Sequence, residues 1–165
     1  MTKIAIFTTG GTIEKSYDPV TETLGFKSGS VLPEFLENCN ASGLEIYEDD
    51  QLRDSAEFEV SDFKRILNKI ETIEHDNIVV LHGTSTMVES SQYLKRSLTS
   101  EKTVVFTGAF RPYRVSYHEA SFNLGAAVIA ATSCDHGVYI TMNGQIFDPD
   151  NCVKNISTRQ FELLR

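Results

Sequence analysis

Three short segments concentrate hydroxyls and glycines: Thr8-Thr9-Gly10-Gly11-Thr12, His82-Gly83-Thr84-Ser85-Thr86 and Thr107-Gly108-Ala109-Phe110-Arg111-Pro112. A threonine hydroxyl is a nucleophile once a neighbouring base takes its proton. Glycine lets the backbone approach a small ligand closely, and its N–H can stabilise an oxyanion that develops during attack. Taken singly, each turn is as readily explained by packing at a strand end. Nucleotide binding lacks support, because the first segment matches neither G-x-G-x-x-G nor G-x-x-x-x-G-K-[ST]. No helix is predicted close behind Thr12 to supply a phosphate-binding dipole. Hydroxyl attack on a carbonyl fits these residues better.

Each segment follows a short apolar run. Ile4–Thr8, Leu44–Tyr47, Ile78–Leu81, Val104–Thr107 and Val138–Met142 are predicted strands. All but Leu44–Tyr47 have the near-continuous apolar character of parallel strands covered on both faces, and Leu44–Tyr47 reads as an edge. Helices are predicted over Val31–Asn38 with Ser30 as cap, in a segment capped by Ser61, over Thr86–Leu98, and over about Glu119–Thr132. In the Ser61 segment, Phe63, Ile66, Leu67, Ile70 and Ile73 keep helical spacing. Alternating strands and helices imply right-handed crossovers and a doubly wound α/β fold with a mostly parallel sheet. Asn143-Gly144 reads as a two-residue turn of a hairpin near the C-terminus. All three Gly/Thr segments then fall on the rim at the carboxyl ends of the strands, where open parallel sheets bind ligands. Glu14–Gly29 is too polar to be core and reads as a mobile lid or disorder.

The chain has 165 residues, the length of a single domain, so residues 1–165 are read as one. Fifteen basic against 23 acidic side chains give a net charge of −8, which argues against a nucleic-acid partner. No apolar run reaches the roughly 20 residues of a membrane helix. Met1-Thr2-Lys3 leads straight into Ile4-Ala5-Ile6-Phe7, too short for a signal core, so a soluble, cytoplasmic protein without membrane contact is expected. Cys39, Cys134 and Cys152 are widely spaced and odd in number, and suggest neither a disulfide framework nor a zinc site.

Thr9-Gly10-Gly11-Thr12-Ile13 and His82-Gly83-Thr84-Ser85-Thr86-Met87 resemble the two signatures of the bacterial-type L-asparaginases. The resemblance continues through Asp54-Ser55, Thr107–Pro112 and Met142-Asn143 to Lys154, in family order, and covers the family's larger N-terminal domain only. It implies a short-chain amidohydrolase that converts the side-chain amide of L-asparagine, or a related small amide, into a carboxylate and ammonia. By resemblance, Thr12 is the nucleophile that forms an acyl-enzyme, and Thr84 and Lys154 are the second threonine and the lysine assisting it. Tyr17 matches the tyrosine of the family's lid. Ser55 matches the residue that grips the substrate's α-carboxylate, aided by the backbone of Gly11 and Thr84 in the Gly83–Ser85 turn, and the Ala109 carbonyl lies beside the leaving amide. The family chemistry uses no metal and no organic cofactor. Its sites lie near subunit interfaces, so a homo-oligomer is expected.

The chain departs from the family pattern most clearly at Ser85, where the family has an aspartate that binds the substrate's α-ammonium and orients the lysine. Losing that charge-assisted contact is worth about 1.5–3 kcal/mol. Ser85 is therefore compatible with a weakened enzyme, with a substrate lacking the α-amine, or with a degenerate module that only binds an amino acid or dicarboxylate. Glu89, one helical turn on, shares its face and is either a partial substitute or a solvated carboxylate. Ala56 replaces a polar contact, and Asp148–Val153 differs from the family wording.

The remaining polar residues have plain readings. His82 is expected to bond backbone, and His75, His118 and His136 to be solvated. The cysteines behave as small hydrophobes, and Phe58, Phe63, Phe106 and Phe122 pack the core. Arg111 and Arg114 either anchor a carboxylate or form surface ion pairs.

Overall fold

The computed structural model describes residues 3–27 and 29–164. Met1 and Thr2, part of the signal-peptide reading, and Ser28, within the Glu14–Gly29 stretch, lie outside the described residues.

Among the described residues, ten strands and four α-helices follow in the order β1 (Ile4–Gly10), β2 (Ser16–Asp18), β3 (Thr23–Gly25), α1 (Leu32–Asn38), β4 (Leu44–Arg53), α2 (Val60–Thr72), β5 (Asn77–Leu81), α3 (Met87–Ser97), β6 (Thr103–Thr107), α4 (Tyr117–Ser133), β7 (Gly137–Met142), β8 (Gln145–Phe147), β9 (Cys152–Asn155) and β10 (Gln160–Leu163). Six strands form one sheet in the order β4-β1-β5-β6-β7-β8. Every neighbouring pair is parallel except β7–β8, as the apolar runs and the Asn143-Gly144 turn imply. Both turn residues have positive φ, 55° and 73°, as a two-residue hairpin requires.

Side-chain alternation divides the core into two layers. Ala5, Phe7, Ile78, Val80, Val104 and Phe106 face α2 and α3, where Phe63, Ile66, Ile70 and Leu94 meet them. Ile4, Ile6, Val79, Leu81 and Val105 face α1 and α4, meeting Leu32, Phe35, Leu124 and Ala127. From β1 the chain crosses to β4 on one side and returns to β5 on the other. That reversal opens a crevice at the carboxyl ends of β1 and β5.

Several boundaries differ from the sequence reading. The edge strand β4 runs on to Arg53 because an edge need not be apolar, and its register against β1 shifts between Thr8 and Gly10. The shift brings Arg53, Asp54 and Ser55 level with the end of β1. The Glu14–Gly29 stretch contains an antiparallel hairpin pairing Ser16 with Gly25, Tyr17 with Leu24 and Asp18 with Thr23. Helix α1 starts at Leu32, whose N–H donates to Ser30 Oγ at 3.0 Å. Helix α2 starts before Ser61: the Glu59 N–H donates to Asp62 Oδ2 at 2.9 Å, so Glu59 occupies the cap position. Beyond β8, the short strands β9 and β10 form a further hairpin that the sequence reading did not include. Phe122 lies 62% exposed rather than in the core, because α4 is apolar on its outer face as well.

Glu14 holds the loop after β1. Its buried carboxylate accepts hydrogen bonds from Thr8 Oγ1 (2.6 Å), Ser30 Oγ (2.6 Å) and the Val31 N–H (2.7 Å), tying β1, the turn Thr12–Glu14 and the start of α1 together. Glu14→Ala leaves those donors without a partner and is expected to cost about 2–4 kcal/mol in chemical denaturation. A loss below about 0.5 kcal/mol contradicts this role.

Candidate functional site

The rim is assembled by close backbone contacts. Gly11 has φ 79°, and a Cβ there would stand 2.5 Å from the Cα and N of Gly83. A Cβ on Gly83 would stand 2.3 Å from Ser55 Oγ. The ends of β1, β4 and β5 are thus pressed together at a point where side chains larger than hydrogen do not fit. The hydrogen bond from the Gly11 N–H to the Arg53 carbonyl, 2.9 Å, closes the same corner.

Beneath this corner lies His82, fully buried. Thr9 Oγ1 donates to the Leu81 carbonyl (3.1 Å) and so accepts from the His82 Nδ1–H (2.7 Å). Nε2 then accepts from Ser90 Oγ at 2.9 Å. His82 bonds hydroxyls rather than backbone, and burial holds its pKa down at about 3. The imidazole is a neutral brace between β1 and α3, with its two nitrogens occupied.

Lys154 is delivered by β9, where it pairs with Phe161 of β10. Two contacts fix the hairpin: Phe161 is buried, and its N–H donates to Asn143 Oδ1 at 2.8 Å. Asn143 is tied in turn through its N–H to Asn123 Oδ1 (3.3 Å), and Asn123 Nδ2 donates to the Gly108 carbonyl (2.8 Å). The β6 end, α4, the β7–β8 turn and the lysine-bearing hairpin are thereby linked. Lys154 Nζ lies 2.9 Å from Thr84 Oγ1 and 5.1 Å from the centre of the Phe110 ring. Desolvation pulls its pKa below the ordinary lysine range, against the opposing fields of Asp54 and Glu89.

Thr84 and Lys154 line an open cleft of about 400 Å³ together with Ser85, Val88, Glu89, Cys152, Val153 and Ile156. That volume is near the small end of ligand clefts. Glu89 thus faces the cleft, which the sequence alone left undecided.

The other predicted residues, Thr12, Gly11, Ser55, Gly83, Ala109 and Tyr17, do not line this cleft. Thr12 is half-buried at the start of the turn after β1, and its hydroxyl makes no hydrogen bond among the described residues. Ser55 is fully buried, and its Oγ accepts from the Thr86 N–H at 3.3 Å. Asp54 caps the Ser55–Glu57 turn by accepting from the Ala56 N–H (3.1 Å), and meets Lys15 Nζ at 2.6 Å. The Lys15 contact holds the Asp54 carboxyl below its usual range. Ala109 is buried in the layer under α1 and α4 and does not line the cleft. Tyr17, on the β2–β3 hairpin, is 51% exposed and does not line it either.

Some plain readings change. His75 has a side chain only 9% exposed, with Nε2 3.2 Å from Glu45 Oε2, so it is not solvated. Cys39 is exposed rather than a buried hydrophobe. Arg114 forms the surface ion pair, meeting Glu34 Oε2 at 2.6 Å. Sequence reasoning missed Glu14, Asn123 and the Thr9–His82–Ser90 chain. For Thr9 and Asn123 the one signal is a polar side chain inside an otherwise apolar strand or helix; Glu14, in a polar turn, and Ser90, in a polar helix, carry none.

The family described as "Asparaginase, N-terminal" matches residues 3–163. L-asparaginase 2 of Bacillus subtilis is 30% identical over 154 residues, covering 87% of this chain and 41% of that protein. A glutamyl-tRNA(Gln) amidotransferase subunit of Methanococcus vannielii is 31% identical over 153 residues, covering 88% and 35%. Among solved structures, L-asparaginase I of Vibrio cholerae superposes with a TM-score of 0.84 at 22% identity, over 99% of this chain and 52% of that one. The probable cytoplasmic L-asparaginase of Campylobacter jejuni gives 0.80 at 25%, over 99% and 53%. The protein belongs to the asparaginase family and has the fold of its N-terminal domain. The chain spans about two-fifths of the length of these curated relatives, and about half that of the solved structures.

The neutral His82 sets a pH dependence of stability. Its folded-state pKa of about 3 lies below the ordinary 6.5, so below pH 6.5 the unfolded chain takes up a proton that the folded chain refuses. This residue alone is expected to remove about 2 kcal/mol of stability between pH 7 and pH 5. His82→Asn should flatten the denaturation free energy over that interval, whatever its cost at pH 7. An unchanged slope contradicts the burial of a neutral imidazole.

Proposed function

We propose that the protein hydrolyses the side-chain amide of L-asparagine, or of a closely related small amide, through a threonine acyl-enzyme. The observation that carries this reading is the 2.9 Å contact between Lys154 Nζ and Thr84 Oγ1, in a cleft that depresses the lysine's pKa. As an ammonium, Lys154 donates to Thr84. Once deprotonated, its lone pair faces the same hydroxyl and can take a proton from it. Thr12 Oγ, free of other hydrogen bonds among the described residues, adds to the amide carbon. The C–N bond then breaks, and the nitrogen leaves as ammonia carrying the proton that Thr12 gave up. Water adds to the ester, Lys154 and Thr84 relay its proton to the departing Thr12 oxygen, and the carboxylate is released.

Membership of the asparaginase family supports an amidohydrolase, and the relatives named as L-asparaginases support the substrate class. Ser85 favours one other reading, a module that binds an amino acid or dicarboxylate without turnover. We propose a cytoplasmic location, a reading supported by the neighbour whose name gives that compartment, the probable cytoplasmic L-asparaginase of Campylobacter jejuni.

Ammonia release from L-asparagine, L-glutamine and succinamate separates these readings. Thr12→Val should lower kcat/KM for the preferred amide by about a thousandfold or more, and Lys154→Met by about a hundredfold or more. Neither should move the melting temperature much. Full activity in Thr12→Val refutes its role. Ligand-dependent stabilisation by L-aspartate with no ammonia from any amide favours the binding module.

We also read the protein as a homo-oligomer. Phe122 and Ile129 on α4 are exposed beside Ile146 of β8, an apolar face that a second copy would cover. Light scattering should return a mass at least twice 18.4 kDa. A monomer at tens of micromolar contradicts this.

A further inference from the structure

Glu89 stands at the third position of α3, where a carboxylate commonly caps the helix. It does not do so here: among the described residues its side chain makes no hydrogen bond and no ion pair. It faces the cleft instead, on the wall that also carries Ser85 and opposite the β9 wall that carries Lys154. The two opposite charges lie close enough for Glu89 to favour the charged form of Lys154, yet no Glu89 oxygen comes within 4.0 Å of Nζ. The other carboxylate acting on Lys154, Asp54, is already engaged by Lys15 and by the Ala56 N–H. Ser85, one turn before Glu89, brings no charge. Glu89 is therefore the one carboxylate lining this cleft, and nothing among the described residues neutralises it.

We propose that Glu89 is the specificity-determining residue of the cleft and holds the cationic group of the ligand, so that the protein selects amides bearing an α-ammonium over the same amides without one. This rests on the amidohydrolase reading for the word amide, but not for the charge selection itself. The cleft offers an ammonium a carboxylate in the first turn of α3, with no partner among the described residues. A ligand ammonium seated against Glu89 also cancels its field on Lys154, so binding of the correct substrate favours the neutral lysine that proton transfer needs. A ligand lacking the amine leaves Lys154 under that field. Ligand selection and activation of the base are then coupled through one side chain.

The products test the selection without requiring turnover, since L-aspartate and succinate differ only in the ammonium. Calorimetric titration at pH 7 should show the unaltered protein binding L-aspartate about ten- to a hundredfold more tightly than succinate. Glu89→Gln should abolish that preference by weakening L-aspartate alone, and Glu89→Asp should retain part of it. Because Glu89 is exposed, its variants should melt as the unaltered protein does. A preference that survives in Glu89→Gln overturns the proposal, as does equal or undetectable binding of both diacids by the unaltered protein. If L-aspartate is preferred but no amide releases ammonia, the assignment of Glu89 stands and the amidohydrolase reading falls. If asparagine and succinamate are turned over with equal kcat/KM, the reverse holds.

Discussion

The contact of Gly11 on Gly83 is the constraint from which the rest of the site follows. A Cβ on Gly11 would strike the Gly83 backbone and one on Gly83 would strike Ser55, so Thr12 and Thr84, the immediate neighbours of these glycines, are held at one corner of the sheet. Nothing else in the fold needs such proximity: β1 and β5 already pair from Ala5 to Leu81 without it. The corner is braced on three sides, by Glu14 under the Thr12 turn, by Ser55 against Gly83, and by neutral His82 below. Each brace is a buried polar group whose bonds run between elements. Loss of any one therefore affects both the stability of the rim and the separation of the two threonines.

Lys154 reaches the same corner by an independent route. It is carried on a short hairpin outside the main sheet, so its placement depends on anchors rather than on strand pairing with the core. Phe161 supplies the apolar anchor, and the Asn123–Asn143 relay supplies the polar one. The lysine is thereby fixed in a setting that pulls it two ways. Desolvation favours the neutral amine, whereas Asp54, Glu89 and the face of Phe110 favour the ammonium. A base that must be protonated at one step and neutral at another is well served by such a balance, because a small change in either influence shifts its state. The open cleft keeps both influences within reach of a ligand.

The parallel core was legible because strands buried on both faces must be apolar throughout, and Ile78–Leu81 and Val104–Thr107 are. Glycines next to threonines at three strand ends were legible for the opposite reason, since nothing in the core calls for them. Leu44–Tyr47 was legible as an edge, but the polar continuation of β4 to Arg53 was not, because an exposed polar stretch carries no apolar pattern to read. The β9–β10 hairpin was missed as well, since strands of four residues each, Cys152–Asn155 and Gln160–Leu163, are too short for their pattern to stand out. Glu14 and Asn123 were hidden as well. A buried carboxylate or amide is specified by its partners across the fold, and those partners lie 6 to 20 residues away in sequence.

Phe122 and Glu89 show where periodicity misleads in both directions. Phe122 lies in a helix whose apolar residues encircle it, so hydrophobicity could not say which of them face the sheet. Glu89 sits where first-turn carboxylates are ordinary, and its position in the chain offers no reason to separate it from a cap. Only the absence of its capping bond, together with its place on the cleft wall, does so. Ser85, in the turn before α3, and Glu89, which faces the cleft with an unopposed charge from its first turn, are four positions apart on the cleft lining. The loss of charge at the first and the exposure of charge at the second are thus physically one feature of the cleft wall.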